Sequence, residues 1–190
     1  MYIIGINGSP RAGGNSDILL DEALRGAVEC GARAEKIFLN ALKYVPCQEC
    51  ENVTDEGICS VRDEMDIVYA GLKKADAVIL SSPIFFGSLS AQTKMMIDRF
   101  QCAWLVRRRL KRDLFGGRKA CAFVSVQAGD RDDFFQNARS IVRNWCATIN
   151  ARYEGELFCA GVEERGSVRA RSDCIRAAFE LGRRLASAEV

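Results

Sequence analysis

Residues 2–20 read YIIGINGSPRAGGNSDILL, and this stretch decides the fold class. Its first part, residues 2–6, is short, apolar and partly β-branched, which is typical of a buried strand. A loop rich in glycine follows over residues 7–16. From Asp17 the apolar residues recur at spacings of three and four as far as Gly31, which predicts an amphipathic helix ended by glycine. A strand that passes through such a loop into a helix is the first unit of an α/β protein.

The remaining chain repeats this alternation of strand and helix. Residues 60–63, SVRD, have the spacing of a capping box and predict a helix start. Residues 77–80 form the most apolar short run and predict a central strand buried on both faces. Five strands alternating with five helices predict one α/β domain over residues 1–190, with a parallel sheet covered by helices on both faces. The predicted strands are residues 2–6, 34–39, 77–80, 119–126 and 153–159, and the predicted helices follow each of them.

Composition and charge indicate which partners and which cellular compartment to expect for this protein. The 190 residues are 48% hydrophobic and 27% charged, with a net charge of +2, as in an ordinary soluble domain. So small a net charge gives no reason to expect nucleic acid or a membrane as a partner. The N-terminus does not resemble a targeting signal and no apolar run approaches the length of a membrane span, so we expect a cytoplasmic protein.

The chain contains no histidine. This excludes Ser-His and Cys-His nucleophile pairs and every histidine metal site. Chemistry in this protein must therefore depend on a cofactor, on carboxylates or on thiols.

Three loops are expected at the carboxyl ends of the strands, where open α/β sheets bind ligands. They cover residues 7–16, 83–88 and 127–130. In the first loop, glycines free the backbone to wrap an anion, and Ser9, Asn15 and Ser16 supply donors beside a helix N-terminus. Arg11 adds a cation with a fork of N–H groups. The loop therefore predicts a phosphate site, although it is neither a G-x-G-x-x-G fingerprint nor a Walker loop. The alternative is a glycine-rich turn with helix caps and a surface arginine.

Three motifs in order make the chain resemble the NADPH-dependent FMN reductase family, and within it the iron-sulfur flavoprotein branch. The motifs are GSPRAGGNS at residues 8–16, PCQEC at residues 46–50 and SPIFFGSLSAQTKMMIDR at residues 82–99. The resemblance covers residues 1 to about 100. It implies a flavodoxin-like three-layer sandwich with a five-stranded parallel sheet in the order 2-1-3-4-5.

The resemblance also implies the cofactor and its site. The FMN phosphate would be held by the first loop, and the isoalloxazine ring and ribityl chain by the second, with the third loop completing the pocket. Backbone amides beside the ring can stabilise negative charge on reduced flavin. Without the resemblance, Phe85 and Phe86 could equally be core aromatics. The implied cofactor-binding residues are Ser9, Arg11, Asn15, Ser16, Pro83, Ile84, Phe85, Phe86, Gly87, Ser88, Gln127, Ala128 and Gly129.

The function that follows is an FMN-dependent oxidoreductase that transfers electrons from NAD(P)H to a small acceptor such as a quinone or flavin. No side chain is expected to be catalytic, because the cofactor carries the chemistry. One alternative is an electron carrier, like iron-sulfur flavoproteins, that serves a redox partner protein. Another is a non-redox phosphate-binding domain on the same fold. Family members commonly pair subunits, so a homodimer or homotetramer is expected.

Nine cysteines fall into two groups. Cys47, Cys50 and Cys59 match three of the four cluster ligands of iron-sulfur flavoproteins, with Val53 where the other cysteine is expected. An iron-sulfur cluster or metal is therefore doubtful, since both usually need four ligands. A distant or neighbouring-subunit cysteine or Asp55 could complete the set, and a redox-active thiol pair or purely structural cysteines are the alternatives. The rest are expected to be free, buried thiols: Cys30, Cys102, Cys121, Cys146, Cys159 and Cys174.

A dense basic run, RRRLKR, covers residues 107–112. Such a run is usually a solvated helix end or loop. A site for the NADPH phosphate or another anion is the alternative.

Overall fold

The computed structural model describes residues 1–50 and 59–188. Short 3-10 helices cover Leu39–Ala41 and Ser167–Ala170. The strands are β1 (Tyr2–Asn7), β2 (Arg33–Phe38), β3 (Ala77–Phe85), β4 (Ser88–Leu89), β5 (Lys119–Val126) and β6 (Ala151–Cys159). The helices are α1 (Asn15–Glu29), α2 (Met65–Lys74), α3 (Ala91–Asp98), α4 (Gln101–Leu110), α5 (Asp132–Thr148) and α6 (Ser172–Ala186).

The five long strands are parallel and lie in the order β2-β1-β3-β5-β6. This is the predicted order 2-1-3-4-5, because β4 has only two residues and pairs antiparallel with the end of β3. The predicted flavodoxin-like parallel sheet is confirmed, with β4 as an additional short strand. The register sets Asn7 of β1 beside Ser81 of β3, and Pro83 beside Val126 of β5. The ends of β1, β3 and β5 are therefore neighbours at one edge.

Each face of the sheet is covered by its own helices. Ile3 of β1 packs in a core cluster with α1 and α6, whereas Ile4 and Ile6 belong to the cluster formed with α2, α3, α4 and α5. This division follows from strand geometry, since successive side chains point to opposite faces. On both faces of β3 the residues are buried, as the apolar run at 77–80 predicts.

Helices α1 and α6 approach each other closely because glycines lie at the contact. A Cβ atom on Gly182 would lie 1.7 Å from the carbonyl oxygen of Ala23, and one on Gly26 would lie 2.0 Å from that of Phe179. Neither distance is compatible with a side chain, so both glycines are required for this spacing.

Two local predictions are wrong. The helix expected from residue 60 begins only at Met65. The backbone amide of Met65 donates to Asp63 Oδ1 at 3.0 Å. The expected capping box from Ser60 therefore does not form. The single helix expected after the third predicted strand, through Phe100 or beyond, is divided into α3 and α4. The division falls at Arg99, whose carbonyl accepts a hydrogen bond from the Tyr69 hydroxyl at 2.8 Å.

The expectation of six free, buried cysteines is only partly correct. Cys159, at the end of β6, is joined by a disulfide to Cys174 in α6. Cys30 is exposed, since it follows α1 at the surface, and Cys102 is partly exposed. The remaining two, Cys121 and Cys146, are buried and free.

Across the described ranges, no helix is both long enough and apolar enough to cross a bilayer.

Candidate functional site

The three predicted loops meet around one cavity at the carboxyl edge of the sheet. Its volume is about 190 Å³. Among the residues predicted from sequence, Phe86, Gly87, Ser88 and Gly129 lie outside its lining. The lining consists of Ser9, Pro10, Arg11, Gly14, Asn15, Ser16, Pro83, Ile84, Phe85, Val126, Gln127, Ala128, Val162, Glu163 and Arg165.

The first loop is held by its own short hydrogen bonds. The amide of Ser9 donates to Asn7 Oδ1 at 2.8 Å, and Ser9 Oγ accepts from the amide of Arg11 at 3.1 Å. The amide of Gly8 donates to the carbonyl of Ser81 in β3 at 2.7 Å. Gly13 has a φ of +66°, a backbone conformation that favours glycine. The loop is thus shaped by its sequence and fixed to the neighbouring strand.

Helix α1 begins at this loop, and no side chain caps the backbone amides of its first turn. Its N-cap residue is Gly14, which has no side chain to accept from the first-turn amides. The first-turn carboxylate of Asp17 accepts from the amide of Gly13 at 2.7 Å and from Lys36 Nζ at 2.9 Å. Lys36 therefore offsets the negative charge that would otherwise oppose an anion at this helix end. Arg11 is exposed at the cavity.

The side chain of Asn15 binds protein backbone. Asn15 Nδ2 donates to the carbonyl of Glu164 at 2.8 Å, and Asn15 Oδ1 accepts from the amide of Val168 at 3.2 Å. In this structure its amide group connects α1 to the loop between β6 and α6. A hydrogen bond from its side chain to a phosphate, as implied by the resemblance, stays a prediction.

Sequence reasoning missed the fourth segment of the cavity, which is the loop between β6 and α6. It contributes Val162, Glu163 and Arg165. The amide of Val162 donates to the carbonyl of Gln127 at 3.0 Å, which joins this loop to the one after β5. The sequence could have indicated this loop by its position, because it also follows the carboxyl end of a predicted parallel strand.

The second loop is largely an extension of β3 that turns back into β4. Phe86 and Gly87, the two central residues of the turn, have φ angles of +49° and +74°. Positive φ at both positions is the geometry of a type I′ hairpin turn. Asn137 Nδ2 donates to the carbonyl of Gly87 at 2.8 Å and fixes the turn to α5. Phe85 is 43% exposed and Phe86 fully exposed, so neither is a core aromatic.

The residues at this cavity suit FMN. Arg11, Arg165 and the first turn of α1 form an end suited to a phosphate. Pro83, Ile84 and Phe85 form an apolar wall suited to a flat ring. At the end of β1 the buried Asn7 Nδ2 has no hydrogen-bond partner among the described residues, so an N–H donor is also unused nearby.

A second cavity of about 430 Å³ contains the cysteine motif. Cys47, Cys50, Cys59 and Cys102 all contribute to its lining. Even so, no three Cys, Asp or Glu side chains in the described ranges lie close enough to hold a metal ion. Metal ligation by Cys47, Cys50 and Cys59 therefore stays a prediction without geometric support. Val53 and Asp55, the other two positions considered for this ligand set, lie outside the described residues.

The buried side chain of Arg99 organises this second cavity. Its guanidinium donates to the Asp63 carboxylate at 2.6 and 3.2 Å and to Cys59 Sγ at 3.5 Å. Burial raises the pKa of Cys102 to about 11, so this thiol is protonated at neutral pH. The cavity thus contains Cys59 beside the Arg99 cation, together with Cys102, whose thiol is protonated.

The basic run lies on the C-terminal part of α4 and just beyond it. Arg107 donates to the carbonyl of Ala147 in α5, and Arg108 lies over the ring of Trp104 at 5.1 Å. These contacts agree with a helix end that packs against its neighbours and is otherwise solvated. None of the residues 107–112 contributes to the cavity at the carboxyl edge.

The sheet order defines a flavodoxin-like α/β protein, with a cavity at the carboxyl ends of β1, β3 and β5. A solved structure described as a flavone reductase has this fold, with a TM-score of 0.74 and 21% identity over 99% of this chain and 62% of that one. The chain belongs to the NADPH-dependent FMN reductase family, whose family model matches residues 1–153.

Two relatives extend this comparison. An iron-sulfur flavoprotein of Methanocaldococcus jannaschii is 43% identical over 99 residues, which are 52% of this chain and 51% of the relative. A putative NAD(P)H-dependent FMN-containing oxidoreductase of Bacillus subtilis is 30% identical over 100 residues, 53% of this chain and 52% of the relative. The matched part therefore spans about half the length of each of these curated relatives.

Proposed function

We propose that this protein is an FMN-dependent oxidoreductase that transfers electrons from NAD(P)H to a small acceptor such as a quinone or flavin. The observation that carries the proposal is the cavity at the ends of β1, β3 and β5. It combines a glycine-rich anion loop with an apolar wall, in a chain of the NADPH-dependent FMN reductase family. A non-redox phosphate-binding domain would not need that apolar wall.

The chain's own residues would bind and orient the cofactor. Ser9, Arg11 and Ser16 would hold the phosphate together with the first amides of α1, and Asn15 would keep the neighbouring loop in place. Bound FMN would supply the chemistry, because it can accept a hydride from a nicotinamide and pass electrons onward. The residues that would border the ring and ribityl chain are Pro83, Ile84, Phe85, Phe86, Gly87, Ser88, Gln127, Ala128 and Gly129.

Exposure of the hairpin side chains supports direct access for a nicotinamide. Phe85 is part of the cavity wall and half-exposed, while Phe86 extends fully into solvent beside it. No side chain needs to act as acid or base in hydride transfer, which agrees with the absence of histidine.

The test of this activity is anaerobic mixing of the flavin-loaded protein with NADH or NADPH, followed by its visible absorbance. We expect at least one of the two nicotinamides to reduce and so bleach the flavin. An added quinone should then reoxidise the flavin and restore its colour. A flavin that neither nicotinamide reduces, but that dithionite reduces, would contradict the reductase assignment.

A second candidate is an electron carrier for a redox partner protein. Its support is the name iron-sulfur flavoprotein carried by several relatives, together with the fully exposed Phe86, which a partner could contact. Among the described residues no three Cys, Asp or Glu side chains converge on a metal position, so this candidate is argued from the flavin site alone. The dithionite-only outcome above would favour this candidate.

We also propose a cytoplasmic homo-oligomer, either a dimer or a tetramer. The support is the fully exposed ring of Phe86 beside the cavity, which a second subunit could contact. Light scattering coupled to size-exclusion chromatography measures the assembly directly, and a single mass near the 21.0 kDa of one chain would contradict the proposal.

A further inference from the structure

We propose that Arg165 is a second phosphate-binding cation of the cofactor site, so that the loop between β6 and α6 helps this protein to select FMN over riboflavin. The inference rests on the proposed function, and it concerns a residue beyond the 1–153 segment that the family model matches. The supporting observation is that the loop between β6 and α6 packs against the first loop.

Arg165 lies against the glycine-rich loop. Its Nη2 donates to the carbonyl of Ala12, and it lies 3.6 Å from the position that a Cβ atom on Gly13 would take. It contributes to the same cavity as Ser9 and Arg11. Two guanidinium groups from opposite ends of the chain therefore border one anion loop.

The loop that carries Arg165 is anchored on both sides of this residue. The two hydrogen bonds of Asn15 hold the backbone at Glu164 and Val168. Before it, the amide of Gly161 donates to the carbonyl of Gly129 at 3.0 Å. Because anchors flank the arginine closely in sequence, its backbone needs little ordering when an anion binds.

A further anchor connects the start of this loop to α6. The disulfide between Cys159 and Cys174 joins the end of β6 to the helix that follows the loop. Arg171 Nη1 donates to the carbonyl of Ala160 at 2.9 Å across the same junction. The loop is thus fixed at its base as well as beside Arg165.

The charges around the cavity favour an anion. The cavity lining contains two arginines, Arg11 and Arg165, and one carboxylate, that of the exposed Glu163. The carboxylate of Asp17, in the first turn of α1, is paired with Lys36. A phosphate monoester carries between one and two negative charges at neutral pH and accepts forked N–H bonds from guanidinium groups. Riboflavin has no phosphate, so it would gain nothing from Arg165.

The test is a fluorescence titration of the full chain, freed of flavin, with FMN and with riboflavin. Arg165→Gln removes the charge and keeps an N–H donor for the Ala12 carbonyl, while Arg165→Ala removes both. Arg169→Ala is the matched control, because Arg169 is an exposed arginine of the same segment, five residues after the anchored carbonyl of Glu164, and does not contribute to the cavity.

We expect both Arg165 variants to bind FMN at least tenfold more weakly than the wild-type protein, with riboflavin affinity changed less than twofold. The control should bind FMN as the wild type does. Unchanged FMN affinity in both Arg165 variants, or an equal loss for FMN and riboflavin, would overturn the inference. A wild-type protein that binds riboflavin and FMN equally would also overturn it, whereas one that binds neither flavin would contradict the proposed function itself.

Discussion

At the scale of single residues, the structure shows contacts of polar motif side chains that the sequence did not predict. The side chain of Asn15 forms hydrogen bonds with backbone groups 149 and 153 residues away in sequence, and its predicted hydrogen bond to a phosphate stays a prediction. Arg99, within the third motif of the family resemblance, is buried beside Asp63 and Cys59. Motifs identify which residues matter, but the contacts that long-range folding creates decide what each residue does.

Phe86 provides a prediction at this scale. An aromatic residue at φ +49° is strained, because its Cβ crowds the backbone in the left-handed region. Its ring is fully exposed and gains little from packing. We expect Phe86→Asn to raise the free energy of unfolding by about 1 kcal/mol, since Asn adopts this conformation more readily. Urea denaturation measures the change.

The matched control is Phe86→Tyr, which keeps an aromatic ring in the same backbone conformation and should leave stability unchanged within a few tenths of a kcal/mol. If Phe86→Asn is no more stable than the wild type, the turn is not strained by its first central residue.

At the scale of elements, boundaries were harder to predict than the elements themselves. The apolar run at 77–80 predicts β3 correctly, but the strand continues to Phe85 and turns into β4. The predicted strand ends at residue 80, and Pro83 disfavours a longer one because proline cannot donate to a ladder. In the structure residues 81–83 still pair with β5, and Phe85 pairs with Ser88 across the two-residue turn. Local sequence alone carries little information about such pairing.

The packing of α1 on α6 provides a prediction at this scale. Gly182 lies where any Cβ atom would meet the backbone of Ala23 at 1.7 Å, and backbone cannot rotate away as a side chain can. We expect Gly182→Ala to lower the free energy of unfolding by about 1–3 kcal/mol, the usual cost of overpacking. Thermal and urea unfolding would both report this loss.

Gly117→Ala is its control, because a Cβ atom there meets nothing within 4 Å. This variant should unfold as the wild type does, within about 0.5 kcal/mol. Equal stability of the two variants would contradict the close helix contact.

At the scale of the whole molecule, the sequence was sufficient to predict the sheet and three of the four loops that border the cavity. Alternating elements and the resemblance together predict the order of the parallel strands, and three of the four loops at the cavity follow from it. The fourth loop was missed because its residues, among them Glu163 and Arg165, resemble an ordinary charged surface turn. The disulfide was missed for a related reason, since Cys159 and Cys174 meet only after β6 and α6 pack together.

The central claim is that this fold holds FMN at the carboxyl edge of its sheet. The most direct measurement is the visible spectrum of the purified protein, with chromatography of any flavin that denaturation releases. We predict the absorption of bound oxidised flavin, about one flavin per chain, and a released compound that co-migrates with FMN. A colourless protein that also fails to take up added FMN would contradict the claim.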